Sequence, residues 1–362
     1  MIRPKISALR ILGVAGLTVG SLLSGCKQPA STEPAAEATT EPSESTNSAD
    51  PGVQPKAPPP KKAAAPPAKL PPLADGPLEI WKEFSGAKAF EEVRRQVEIG
   101  PRPSGSPAIE KTRTLIEATL KSHGWAVERQ TFTDETPRGP VTFVNLIARY
   151  LPPGLKTAPT QTQRALVASH YDTKRFSTIP FVGANDGGSS TGALLELARV
   201  LALAPALAVQ VELVFFDGEE ALVQFTAPDD PKPDGLYGSR HYSRDLRASG
   251  RAPQFKFGIL WDMIGDKEVG ITLPPDSPQQ LTRELLADAE ALGVRAKFGY
   301  LDRAILDDHV PLNTVARIPT VDLIDFDYLY WHTADDTLDR IGPEGLQHVG
   351  AVTLRRLRLG LK

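Results

Sequence analysis

The chain has 362 residues, with 41 Lys and Arg against 44 Asp and Glu, a net charge of −3, 34 prolines and one cysteine. So balanced a charge provides no basic footprint for nucleic acid, and a single cysteine excludes an intrachain disulfide. The length leaves room for one large domain and for segments that lie outside any core.

Arg3, Lys5 and Arg10 make a basic start, and Ile11 to Leu23 is an apolar run of signal-peptide length, too short for a comfortable membrane span. Leu23-Ser24-Gly25-Cys26 follows. This pattern resembles the lipobox of bacterial lipoproteins, whose cysteine becomes the lipid-bearing N-terminus. The resemblance implies that residues 1–25 are a signal peptide. It also implies an exported chain, anchored to a membrane through lipidated Cys26 and facing the periplasm or the cell surface. Residues 26–76 are rich in Pro, Ala, Ser, Thr and Glu and poor in large apolar side chains. Such a segment buries too little to offset chain entropy, and a disordered tether is expected there. Residues 77–362, about 285 positions, remain for one α/β domain.

In chain order, Phe90, Val93, Val97 and Ile99 share a helical face, and the turn residues Gly100 to Pro107 end that helix. A second helix is expected over 109–123, with Thr112, Leu115, Ile116 and Leu120 inward. Residues 126–132 and 141–149 alternate as strands. A short apolar strand over 164–169 places His170 just past its end, and a helix follows over 187–203. The run 209–216 is apolar throughout, as a central strand covered on both faces would be. Residues 221–234 read as a loop over the site, and a helix is expected from 238 to 248. A strand over 255–260 leads into Trp261-Asp262-Met263. After it come a helix over 277–292, a strand over 318–324, a loop over 325–336 and a closing helix over 342–361. Strands alternating with helices predict a three-layer α/β/α sandwich around a mixed, mostly parallel sheet.

Polar clusters fall where such a sheet puts its carboxyl-edge loops. They are His170 with Asp172, Asp186 before Gly187-Gly188, Glu219 with Glu220, Asp262, and Trp331 with His332. Zinc takes imidazole nitrogen and carboxylate oxygen where cysteine is absent, so His170, Asp186, Glu220, Asp262 and His332 are the candidate ligands. Adjacent side chains diverge, so one glutamate of the pair can bind metal while the other acts as a base. Asp172 is positioned to orient His170. Phe176, Phe181 and Phe225 are candidates for an apolar specificity pocket or equally for core packing, and His309 reads as structural.

On these residues the chain resembles the zinc exopeptidase family that contains di-zinc aminopeptidases and glutaminyl-peptide cyclotransferases. The motifs are His-Tyr-Asp-Thr-Lys at 170–174, Val-Gly-Ala-Asn-Asp at 182–186 and Phe-Phe-Asp-Gly-Glu-Glu-Ala at 215–221. Leu-Tyr-Gly-Ser-Arg-His at 236–241, Asp-Asp-His at 307–309 and Trp-His-Thr at 331–333 continue the same order. Gly100-Pro101-Arg102 and the contexts of these motifs are similar to the cyclotransferases. The resemblance implies that Asp186, Glu220 and His332 hold one zinc and that Glu219 shuttles the proton. It further implies that Asp262 is a second acidic catalytic residue, that Asp307 supports Asp262 through hydrogen bonds, and that Trp331 packs beside the substrate. The substrate would be a peptide or protein N-terminus, its glutamine closed to pyroglutamate with loss of ammonia.

The chain departs from the cyclotransferase pattern at two places. Phe225 stands where those enzymes carry a tryptophan after the paired glutamates, and Asp322 stands for a histidine of the late strand. With His170 counted, all five ligands of a di-zinc site are also present. In that case Asp186 would bridge two ions and the reaction would be hydrolysis of the first peptide bond. Fold alone leaves a further reading, a binding domain without catalysis.

Overall fold

The computed structural model describes residues 72–159, 163–226 and 230–361. The expected export segment, Cys26 and the tether as far as residue 71 lie outside the described residues. Among the described residues no helix is long and apolar enough to cross a membrane. The folded body begins a few residues earlier than expected. Leu73 packs against the core, and the Ala74 carbonyl accepts the Ala206 N–H at 3.0 Å.

One eight-stranded sheet organises the chain. Its strands are β1 (Trp125–Thr136), β2 (Gly139–Tyr150), β3 (Arg164–His170), β4 (Val211–Phe216), β5 (Phe255–Asp262), β6 (Ile271–Leu273), β7 (Phe298–Tyr300) and β8 (Thr320–Ile324). They lie in the order β1-β2-β4-β3-β5-β8-β6-β7. The centre, β4-β3-β5-β8, is parallel, the β1–β2 hairpin joins β4 antiparallel, and β6 runs antiparallel to β8. The mixed, mostly parallel sheet expected from the sequence is the one observed.

Side chains of period two divide between the two faces. Ala165 and Val167 of β3, Leu213 and Phe215 of β4, and Ile259 and Trp261 of β5 enter the larger core. Helices α1 (Gly86–Val97), α2 (Pro107–Ser122), α3 (Gly188–Leu201), α6 (Gln279–Ala291) and α8 (Pro343–Gly360) supply its other side. Leu166 and Ala168, Val214 and Phe216, and Leu260 turn the other way. There they meet Tyr242 and Leu246 of α5 (Tyr237–Ala248) and Leu312 of a π-turn that follows the one-turn α7 (His309–Pro311). The expected layers are therefore present on both faces.

Three details differ from expectation. The helix expected over 187–203 ends at Leu201, and Pro205 opens a separate turn, α4 (Pro205–Ala208), as a proline at the first helical position favours. Strands β6 and β7 are three residues long, too short to show a period. On α2 the inward face carries Arg113 rather than Leu115, because the guanidinium pairs with Asp217 in the interior.

Candidate metal centre

The carboxyl ends of β3, β4, β5 and β8 converge on one place. His170 is the last residue of β3 rather than the first of the loop, and Asp262 is the last of β5. Glu219 and Glu220 leave β4 by a turn at Gly218. Asp186 precedes α3, whose N-cap Gly187 has φ +74°; a Cβ there would come within 2.6 Å of the Asp172 carbonyl oxygen and 2.9 Å of His170 Cε1. Glycine thus lets the helix start lie against the His170 ring.

Asp186 is the hub. Its Oδ1 lies 3.3 Å from His170 Nε2 and its Oδ2 lies 3.4 Å from His332 Nε2. His332 Nε2 also stands 3.2 Å from Glu220 Oε1, and His170 Nε2 stands 3.2 Å from Asp262 Oδ1. Two potential ligand sets result, Asp186–Glu220–His332 and His170–Asp186–Asp262, sharing one carboxylate. All five expected ligands are brought together.

The donor set suits zinc. Ligand atoms at ~2.0–2.1 Å from a tetrahedral zinc are about 3.3 Å from each other, and the separations above match that edge. Asp186 Oδ2 and Glu220 Oε2 are buried without hydrogen bonds, with the Lys174 ammonium 3.6 Å from Glu220 Oε2, so both oxygens have lone pairs free for a metal ion. His332 is raised to about 10: burial opposes the proton, and Asp186 and Glu220 more than offset burial. His170 is likewise raised: burial opposes the proton, and Asp262, Asp172 and Asp186 together outweigh it.

The backbone carrying these groups is held by buried polar residues. Asp336 accepts the N–H groups of Asn185 at 2.8 Å and Asp186 at 3.1 Å. Asp172 accepts those of Glu219 at 3.2 Å and Glu220 at 3.4 Å. Its expected role on His170 is the weaker one. Nδ1 is 3.5 Å from Asp172 Oδ1 and makes no hydrogen bond. Arg102, fully buried, donates to the carbonyls of Tyr171 at 2.9 Å, Val182 at 2.6 Å and Gly183 at 2.9 Å, fixing the chain on both sides of the site. Asp217 accepts from Arg113, Ser104 and the Val144 N–H, and burial raises it to about 6. Met263 and His332 have φ of +45° and +56°, strained backbone beside and within the ligand set.

A cavity of about 300 Å³ opens onto the ligands, lined among others by Glu219, Asp262, Asp307, Phe225, Trp331 and His332. Glu219 is pushed well above the usual carboxyl range by burial, with Glu220, Asp308 and Asp262 adding and His170 opposing. Trp331 stacks on His332 with ring centres 4.2 Å apart and is 42 % exposed. The Lys174 ammonium lies 5.1 Å from the centre of the Phe225 ring. The loop expected over the site begins rigidly. Asp234 accepts the N–H groups of Leu222 at 2.8 Å, Val223 at 2.8 Å and Gln224 at 3.0 Å, and the Tyr237 hydroxyl at 2.8 Å.

Two expectations are corrected. Phe176 and Phe181 do not line the cavity; their rings pack edge-on around His332 at 5.7 and 5.8 Å, which leaves Phe225 as the aromatic side chain of that expected trio on the cavity wall. Asp307 makes no hydrogen bond to Asp262 among the described residues, and its Oδ2 is buried without a partner. Burial, followed by Asp322 and Asp262, raises the Asp307 carboxyl well above the usual range.

With this geometry established, comparison with known proteins places the chain. Residues 145–356 match the profile of peptidase family M28. The chain belongs to that family. It is 31 % identical over 282 residues to the glutaminyl-peptide cyclotransferase-like protein of Bos taurus, covering 69 % of this chain and 70 % of that one. Among solved structures, an Acidobacteriales bacterium glutaminyl cyclase superposes with a TM-score of 0.67 at 32 % identity, covering 83 % of this chain and 99 % of that one. A Zn-dependent exopeptidase from Parabacteroides distasonis superposes with a TM-score of 0.66 at 26 % identity, covering 76 % and 98 %. The M28 fold and the expected resemblance agree.

Arg102, Asp217 and Asp336 were not singled out as site residues from the sequence. Arg102 stands between two prolines and Asp336 four residues after His332. Both lie within the motif neighbourhoods, the signal that could have marked them.

Proposed function

We propose that this M28 chain is a zinc-dependent glutaminyl-peptide cyclotransferase, closing an N-terminal glutamine of peptides to pyroglutamate with release of ammonia. The observation that carries the proposal is the position of Glu219. It lines one cavity with Asp186, Glu220 and His332, in a chain similar to glutaminyl cyclases.

Asp186, Glu220 and His332 would hold the ion. Bound there, zinc supplies Lewis acidity to the γ-carbonyl of the glutamine. Glu219 takes a proton from the α-amine as its nitrogen bonds to the side-chain carbonyl carbon, Cδ. The same proton goes to the amide nitrogen as that carbon–nitrogen bond breaks, so ammonia leaves and Glu219 is restored. Burial raises the Glu219 carboxyl, the direction that favours its taking up a proton. Asp262 faces the same cavity and would hold the amine's remaining hydrogens. Trp331 would pack beside the glutamine side chain. Ring closure within one residue needs no second molecule, and orientation supplies much of the acceleration.

A second reading, aminopeptidase, is favoured by one observation: His170, Asp186 and Asp262 form a second ligand set on the shared carboxylate. With two ions Glu219 would instead draw a proton from water and the first peptide bond would break. Mass spectrometry of a Gln-initiated peptide after incubation separates the two. Loss of the mass of ammonia with every residue kept supports cyclisation, and loss of the first residue supports hydrolysis.

We also infer that Cys26 carries lipid and anchors an exported chain. The support is Leu23-Ser24-Gly25-Cys26 after an apolar run with a basic start. Labelled palmitate should enter the expressed chain and be absent from Cys26→Ala.

A further inference from the structure

The proposed chemistry uses the floor of the cavity and leaves one wall unexplained. That wall is the loop 303–307, every residue of which lines the cavity. It is graded by depth. Arg303 and Ala304 are exposed, Ile305 and Leu306 are half-buried, and Asp307 is buried, so the loop runs from mouth to floor. Arg303 is the single Lys or Arg among the lining residues, whereas the floor is built of carboxylates and His332.

The guanidinium of Arg303 lies 5.3 Å from the centre of the Phe326 ring, which keeps it at the rim. Its ion pair with Asp302, Nη1 to Oδ1 at 3.2 Å, joins side chains 57 % and 85 % exposed. An exposed pair of this kind contributes little, so little is lost when the guanidinium turns to another carboxylate.

We propose that Arg303 reads the third residue of the peptide and selects an acidic side chain there. This rests on the site taking peptide N-termini. An α-amine reaches Glu219 only if the first residue fills the floor, so the rest of the peptide leaves through the mouth. Each extended residue advances ~3.3–3.6 Å. The second residue therefore passes Ile305 and Leu306, and the third reaches the rim. Ile305 and Leu306 offer apolar contact without charge preference. Arg303 offers a planar fork matched to a carboxylate.

The test is kcat/KM for the C-terminally amidated peptides Gln-Ala-Ala, Gln-Glu-Ala and Gln-Ala-Glu and their lysine counterparts. Each is assayed with the zinc-loaded parent, Arg303→Gln and Arg303→Glu. In the parent Gln-Ala-Glu should exceed the neutral peptide by about two- to fivefold, with Gln-Ala-Lys below it by a similar factor, while Gln-Glu-Ala and Gln-Lys-Ala stay closer to the neutral one. The acidic-to-basic ratio should collapse toward one in Arg303→Gln, invert in Arg303→Glu and shrink with added salt. A parent that does not discriminate, or a preference that persists in Arg303→Gln, overturns the proposal. If Gln-Ala-Ala amide is not cyclised at all, the reaction reading fails separately. Calorimetric binding of the same peptides to the parent and to Arg303→Gln then decides the role of Arg303 by the same ratio.

Discussion

The carboxylate of Asp336 accepts the backbone N–H of Asp186 at 3.1 Å, joining positions 150 residues apart. It takes the Asn185 N–H as well, and the Tyr328 hydroxyl at 2.8 Å. Burial, followed by the neighbouring Asp186, raises Asp336 to about 7. The contact fixes where the Asp186 side chain begins, and so lets its two oxygens face two different imidazoles.

Asp336→Ala is therefore expected to weaken zinc binding by about 10- to 100-fold, the usual effect of losing a group that supports a ligand. Competition against a chromophoric chelator measures it. An affinity equal to the parent's would mean that Asp186 is held by other contacts.

Glu219→Gln keeps shape and removes the base. Turnover should fall by about 10²–10⁴-fold, the range for a general base, while zinc content measured on the purified variant stays at the parent's level. A variant of normal rate would remove Glu219 from the mechanism.

The two histidines are expected to differ. His332→Ala removes a ligand from the set beside Glu219 and should abolish both zinc retention and turnover. His170→Ala should retain one equivalent of zinc if cyclisation runs on a single ion. Loss of all zinc from His170→Ala would place the principal ion on the other set. Elemental analysis with a parallel activity assay reads both.

The buried pair between Arg113 and Asp217 supports the strand end from which the glutamates leave. Its side chains are 9 % and 0 % exposed. Asp217→Ala removes the buried partner while Glu110 and the Tyr171 hydroxyl still engage the guanidinium, and should lower stability by about 1–3 kcal/mol. Urea unfolding measures the loss, and Arg113→Met with Asp217→Leu should restore part of it.

His309 stands 3.3 Å from Asp276 and 3.4 Å from Asp322. Burial opposes its proton, but the two carboxylates outweigh burial and raise it to about 9. The folded chain thus holds this proton more tightly than the unfolded chain, where imidazole titrates near ~6.5. The resulting stabilisation is complete below pH ~6.5 and is lost as pH rises through about 9. Between pH 6 and pH 10 the parent should lose up to about 3 kcal/mol more than His309→Gln. Unfolding midpoints at the two pH values check this; equal losses would mean that His309 is neutral in the fold.

Three of the five ligands were legible because they end or closely follow an apolar run of strand length, which ends where its side chains must meet solvent or a site, whereas Asp186 and His332 were marked by their Gly-rich and aromatic loops. His170, Glu220 and Asp262 all follow that rule. Glu219 was legible as a neighbour that must point elsewhere. Arg113 was not, because periodicity ranks Leu115 above a cation whose partner lies 104 residues away in sequence. Asp336 and Arg102 act on backbone atoms, and no spacing marks which amide or carbonyl a distant side chain will meet. Strands β6 and β7 pair at the sheet's far edge, where three residues carry too little pattern to read.

Asp234 gathers the amides of residues 222–224 on one carboxylate. The approach to Phe225 is thereby set before any peptide arrives. A recognition loop that orders around its ligand gives up conformational freedom at every encounter, and affinity is reduced by that amount. Here the loss is taken once, when the chain folds. Peptides should then meet a finished wall, with their time on the enzyme governed by their own contacts and not by the closing and reopening of this segment.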